Sequence, residues 1–161
     1  MYWILLLGLL IAGLALYARW MERASVFYPR RAVDYTPAEI GLEYEDVYFT
    51  SSDGIRLNGW FVPAPSPRGT VIILHGNAGN IGHRVDKIRI FRELGLNVFI
   101  FDYRGYGRSG GSPSEEGTYL DAQAAYDHLV EDKGIGGDRI LLYGKSLGGA
   151  VAADLALNRE L

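Results

Sequence analysis

Three short apolar runs, Thr70–Leu74, Asn97–Phe101 and Ile140–Tyr143, limit what this chain can become more than anything else in it. Each is close to continuously apolar, and each leads through a glycine-bearing loop into residues at helical spacing. A strand that is apolar at successive positions has both faces covered, as strands do inside a parallel sheet. Strand alternating with helix three times over specifies an α/β fold. Ahead of these units, Glu43–Thr50 and Ile55–Val62 read as strands joined by the turn residues Ser51 to Gly54, a leading antiparallel hairpin. A helical pattern runs from His83 to Leu94. Ser112-Pro113-Ser114-Glu115 reads as a capping box with proline at the first helical position, which predicts a helix from about Pro113 to Glu131.

The third run enters Gly144-Lys145-Ser146-Leu147-Gly148, and an Ala- and Leu-rich segment from Ala150 to Leu157 follows. Strand, sharp turn, helix is the setting of a nucleophile elbow. Glycine at 144 and 148 leaves room for a strained turn, and the Ser146 hydroxyl is predicted to stand at the head of the helix. The N–H of Leu147 and the positive end of the helix dipole then face a developing oxyanion. In the plainer alternative, Ser146 only caps the helix. Gly-Lys-Ser also ends a phosphate-binding P-loop, but that motif needs a glycine five residues before Gly144, where Arg139 stands. Gly105, Gly107 and Gly110 match the spacing of a dinucleotide fingerprint. There the helix begins too late, and no second strand ends in an acid at the required distance.

The chain has no cysteine, which excludes disulfides, thiol chemistry and Cys-based metal sites. Its net charge of −3 and the lack of a basic patch interleaved with aromatics give no nucleic-acid partner. No cofactor or metal is expected. A length of 161 residues allows one domain with a modest core.

Residues 1–23 read as a membrane anchor helix, 24–42 as a linker lying over the domain, and 43–161 as the domain itself. The run Tyr2 to Ala18 carries no charge. As a helix it spans roughly 25 Å, slightly short of a hydrocarbon core unless Trp20 and Met21 extend it. A cleaved signal peptide would need a basic leading region and a small-x-small cleavage site, and neither is present. A buried core helix would be unusually uniform in its apolarity. Arg19, Arg23, Arg30 and Arg31 all follow the run, which predicts a single-pass protein with a cytoplasmic body.

Taken in order, His75-Gly76-Asn77-Ala78-Gly79-Asn80, then Asp102-Tyr103-Arg104-Gly105-Tyr106-Gly107 with Ser109, then Gly144-Lys145-Ser146-Leu147-Gly148-Gly149 resemble the α/β-hydrolase superfamily. Within it the chain is similar to membrane-anchored α/β-hydrolase domain-containing proteins near the serine aminopeptidase-like group, some of which are thioesterases. The resemblance covers Glu43 to the C-terminus. It implies that Asn77 donates its backbone N–H to an oxyanion hole opposite that of Leu147. It also implies that His75, Gly76, Gly144 and Gly148 shape the site, with the His75 ring bracing the loop instead of acting as base, and that the Arg104 loop is a fixed turn.

In that family the acid and the histidine of the triad follow the serine in the chain. Neither partner follows Ser146 here. His83 and His128 precede it on predicted helices, and Asp154, two helical turns beyond, cannot stand in for a histidine. The expectation is therefore the N-terminal part of an α/β-hydrolase fold with its C-terminal strands missing. Ile140–Tyr143 is then an unprotected sheet edge. The corresponding function is a membrane-tethered serine hydrolase of esters, thioesters or amides, acting on an acyl or peptide substrate at the membrane surface. The alternative is a noncatalytic membrane-anchored module that completes its sheet with a partner chain.

Overall fold

The computed structural model describes residues 2–160, without the side chains at positions 19 and 22–24. Met1 of the expected anchor, Leu161 of the expected domain, and the side chains of Arg19 and Arg23 thus lie outside the described residues. The chain begins with α1 (Tyr2–Val26). From Tyr2 to Trp20 every large apolar side chain of α1 is more than half exposed. Among the described residues no helix is long and apolar enough to cross a membrane. The uncharged part of α1 stops short of the roughly 30 Å of a hydrocarbon core.

A five-stranded sheet follows, in the order β2-β3-β6-β4-β7. Its strands are β2 (Glu45–Thr50), β3 (Arg56–Val62), β4 (Gly69–Leu74), β6 (Leu96–Asp102) and β7 (Ile140–Gly144). The β2–β3 hairpin is antiparallel and β3 runs antiparallel to β6. β4 lies parallel between β6 and β7. A separate pair joins β1 (Tyr28–Pro29) in parallel to β5 (Ala78–Gly79).

The apolar runs are continuous because both faces of the sheet are covered. On one side Phe49, Ile72, Leu74, Phe99 and Phe101 meet α3 (Glu115–Asp127) and α4 (Leu147–Asn158) through Ala122, Ala125, Val151 and Leu155. On the other, Trp60, Val71, Ile73, Val98 and Ile100 meet Ile88 of α2 (Val85–Glu93), with Val33 and Leu42 of the segment after α1 packed around them. Alternate residues of β4 and β6 therefore serve opposite layers. A fully buried Ile or Phe of this kind contributes about 1.5–3 kcal/mol.

Two boundaries differ from the sequence expectation. His83 lies in a 3-10 turn, Ile81–Arg84, ahead of α2. The cap of α3 is Ser114, which accepts from the N–H of Gly117, and not Ser112. Pro113 serves elsewhere: a Cβ on Gly105 would sit 2.4 Å from its Cδ, so the ring walls the loop after β6 and does not start the helix. Beyond Asp127 the helix widens into a π turn, His128–Asp132.

The loop after β6 is shut by Arg104. Its guanidinium donates to Asp53 at 2.6 and 3.0 Å, to Asp121 at 3.0 and 2.8 Å, and to Ser51 at 3.2 Å. Hydrogen bonding from Arg104 holds the Asp53 carboxyl down at about 2. For Asp121 burial is the larger influence and raises the pKa, against the bonds from Arg104 that lower it. The hairpin turn, the loop and α3 are joined through one side chain.

Candidate active site

β7 ends at Gly144 and α4 starts at Leu147, so Lys145 and Ser146 make the whole turn between them. Ser146 adopts φ 55° and ψ −121° and is the only non-glycine residue with positive φ among those described. A side chain in that region is strained, and such strain concentrates at functional sites. The flanking glycines are required by contact. A Cβ on Gly144 would lie 2.2 Å from the carbonyl oxygen of Gly148, and one on Gly148 would lie 1.9 Å from that of Leu74. The turn is closed by N–H donation from Gly148 to Lys145 O at 3.0 Å and from Gly149 to Ser146 O at 2.8 Å. Ser146 itself is exposed.

The loop after β4 comes to lie against this turn. A Cβ on Gly76 would be 3.3 Å from Lys145 O and 3.7 Å from the Ser146 Cβ. A cavity of about 460 Å³ opens there, lined by Gly76, Asn77, Arg84, Lys87, Lys145 and Ser146 among others. His75, Gly76, Asn77, Gly144, Ser146, Leu147 and Gly148 are thus gathered around one point at the end of β4 and β7.

The His75 ring is buried, although the residue borders the same cavity as Ser146. Its ring lies between Tyr103 and Tyr106, at centroid distances of 4.5 and 5.3 Å. Nδ1 is 2.7 Å from the carbonyl oxygen of Gly76, which can only accept, so Nδ1 carries the proton. Nε2 points toward Asp102, 3.5 Å from its Oδ1, and both side chains are wholly buried. That Oδ1 also accepts the Ile81 N–H at 3.0 Å.

His83 lines the same cavity as Ser146. Its Nδ1 accepts the backbone N–H of Asn80 at 3.2 Å, which places the proton of the neutral ring on Nε2 and leaves that nitrogen unable to take one from Ser146. His128 stacks on Phe49 at 5.5 Å, bonds Asp132 at 2.6 Å and lines a different cavity. None of the three histidines offers a free lone pair to the serine.

Asn77 is held from several directions. Its carbonyl accepts from the Tyr28 N–H at 3.0 Å and from the Tyr106 hydroxyl at 2.7 Å, and its Nδ2 donates to Val26 O at 2.9 Å. Burial pushes the Tyr106 phenol up to about 12, so it keeps its proton and donates at any ordinary pH. The glycines of the loop from Gly105 to Gly110 are crowded from outside it: a Cβ on Gly107 would fall 1.9 Å from Asp102 Oδ2, and one on Gly105 2.4 Å from Pro113 Cδ. That leaves no cradle for a pyrophosphate.

Sequence reasoning missed Tyr28, Tyr106 and Asn80, which hold the loop, and the carboxylates Asp53 and Asp121 that fix Arg104. Asn80 and Tyr106 stand in the motifs that carry the family resemblance, but nothing local shows their roles here, because the partners involved lie 17 to 51 residues away.

A mixed sheet whose third parallel strand turns sharply through a serine into a helix, with a His-Gly-Asn loop beside it, defines the α/β-hydrolase class. Residues 65–161 match the family model for serine aminopeptidase, S33. The α/β hydrolase domain-containing protein WAV2 of Arabidopsis thaliana is 45% identical over 94% of this chain and 51% of its own length. An uncharacterized membrane protein of Saccharomyces cerevisiae is 43% identical over 87% of this chain and 48% of its own. Among solved structures, the esterase Pf2001 of Pyrococcus furiosus superposes with a TM-score of 0.69 at 33% identity, covering 77% of this chain and 50% of the esterase. The chain belongs to the α/β-hydrolase superfamily, and it spans about half the length of the relatives it matches.

Proposed function

We propose that this chain is the N-terminal, nucleophile-bearing part of a membrane-tethered serine hydrolase. Ser146 Oγ attacks the carbonyl carbon of an ester, thioester or amide. The N–H groups of Asn77 and Leu147 receive the charge that develops on the carbonyl oxygen. The observation that carries this reading is the strained, exposed Ser146 with the Gly76 loop set against its Cβ. Since no histidine among the described residues can take the serine proton, the base and its acid belong to sequence that the longer relatives have outside the matched half. The hydroxyl then acts as nucleophile only in that completed protein.

Exposed apolar side chains along α1 support a helix that lies in or against lipid, and the yeast relative is named a membrane protein. The Asn77 side chain bonds the carbonyl of Val26, the last residue of α1, so the reacting centre sits at the foot of that helix. Substrates presented at a membrane surface fit this placement. Of the basic flank that would keep the body cytoplasmic, Arg30 pairs with Asp34 at 2.6 Å and Arg31 donates to Ser109 O.

Fluorophosphonate labelling of the full-length protein and of its Ser146→Ala variant tests the nucleophile. Labelling that disappears in the variant supports it. Equal labelling of both proteins, or none in a folded sample of the full-length protein, refutes it.

A further inference from the structure

Residues 26–32, at the end of α1 and just beyond it, bind the loop that carries the Asn77 N–H. The Tyr28 N–H donates to Asn77 O and the Arg30 N–H to Gly79 O, each at 3.0 Å, as β1 runs parallel to β5. From the other side the Asn80 side chain donates to Arg30 O at 3.0 Å and Ala32 O at 2.6 Å, while its Oδ1 accepts from the Gly82 N–H at 3.0 Å. The Gly107 N–H donates to Arg30 O as well, at 3.0 Å. Phe27 is buried in the sheet core and pins the near end.

The geometry points to a function for this segment. Asn77 stands between two peptide planes. The one before it is fixed by the His75 Nδ1–H on Gly76 O, and the one after it by Tyr28 and Tyr106 on Asn77 O. In a trans peptide the N–H points opposite to the preceding carbonyl. The Asn77 N–H therefore points away from the His75 ring, and the residue that carries it lines the same cavity as Ser146.

We propose that residues 26–32 are a strap that holds the oxyanion peptide in its donating orientation, with Tyr28 and Asn80 as positioning residues acting through Asn77. This rests on the reading of the Asn77 N–H as an oxyanion donor. The tether and the oxyanion hole are then one mechanical unit, and the segment after α1 does more than connect helix to domain.

The test uses the full chain in micelles, with Asn80→Asp as the perturbation. Aspartate keeps the oxygen that caps Gly82 but faces the Arg30 and Ala32 carbonyls with an oxygen in place of the amide. Amide hydrogen exchange at Arg30 and Gly107 and ¹⁵N order parameters at Asn77 to Gly79 are read against those of β4 and β6. The expected result is faster exchange and lower order in the strap and loop, with the sheet unchanged. In protein that labels, the maximal phosphonylation rate at Ser146 falls about tenfold to a hundredfold with unchanged probe affinity, as on weakening an oxyanion donor. Loop order and labelling rate that both stay at the wild-type level overturn the strap. Full-length wild-type protein that never labels refutes the serine reading instead, and the order parameters alone then decide whether the segment holds the loop. If Asn80→Asp does not fold, Phe27→Leu loosens the same segment from its core end and is read in the same way.

Discussion

Replacing Ser146 with glycine is expected to stabilise the protein while removing the proposed nucleophile. At φ 55° and ψ −121° the serine occupies a region that L-residues rarely enter. For glycine the same angles are the mirror image of an ordinary extended conformation. Strain of this kind costs about 1–3 kcal/mol. The extra freedom that glycine gives the unfolded chain offsets about 0.5–1 kcal/mol of the relief. Because Ser146 is exposed and caps no helix N–H with its side chain, little contact is lost. The net is about 0.5–2 kcal/mol in favour of glycine. For a chain of this size that corresponds to a melting temperature higher by roughly 2–6 °C. Thermal denaturation of wild type, Ser146→Gly and Ser146→Ala in one detergent reads the difference, and alanine serves as the control because it keeps the Cβ and loses only the hydroxyl. The expected order is glycine above alanine, with alanine close to wild type. A glycine variant that melts at or below the alanine variant would refute the idea that the elbow stores strain.

Two further outcomes concern the Arg104 cluster. Arg104→Leu leaves the Asp121 carboxylate uncompensated in the interior and is expected to cost about 3–5 kcal/mol, with Asp121→Asn in the same chain recovering part of it; urea denaturation of the two single variants and the double variant measures the coupling. Asp53, held at about 2 when folded and close to the usual carboxylate value when unfolded, adds stability that is present above about pH 4 and is lost as the pH falls toward 2. Asp53→Asn should flatten the acid limb of a stability–pH profile over that window and leave no such step, whereas an unchanged limb would mean that Arg104 does not hold the carboxylate.

The sheet was legible because its three parallel strands lie under helices on both faces, so that apolar residues run on without alternation from Val71 to Leu74 and from Val98 to Phe101. The elbow was legible for a local reason, since glycine at 144 and 148 answers to backbone atoms that any strand-turn-helix of this kind brings close. The sequence places the helix start at Pro113, two residues before Glu115, because a proline before Ser-Glu reads as a first helical residue, whereas its ring packs on Gly105. Segment 24–42 reads as a linker from its prolines and mixed charges. Its role is invisible at that level because the contacts that matter run through backbone N–H and C=O groups, which every residue has. The charge cluster escaped notice for a related reason: Asp53, Arg104 and Asp121 become neighbours only when hairpin, loop and α3 are assembled.

The strand order also sets an assembly problem during synthesis. The β2–β3 hairpin needs only its own turn to form, so it is available as soon as Val62 has been made. β4 comes next in the chain but cannot pair with β3, because β6 takes the place between them. Until residues 96–102 emerge, β4 is a largely apolar strand with neither neighbour. Its other partner, β7, arrives some forty residues later still. Nascent chains of this kind expose a sticky segment for as long as the ribosome takes to supply its partners. The yield of folded protein should therefore depend on how fast residues 75–102 are translated and on which chaperone covers β4 meanwhile, even where the finished fold is stable.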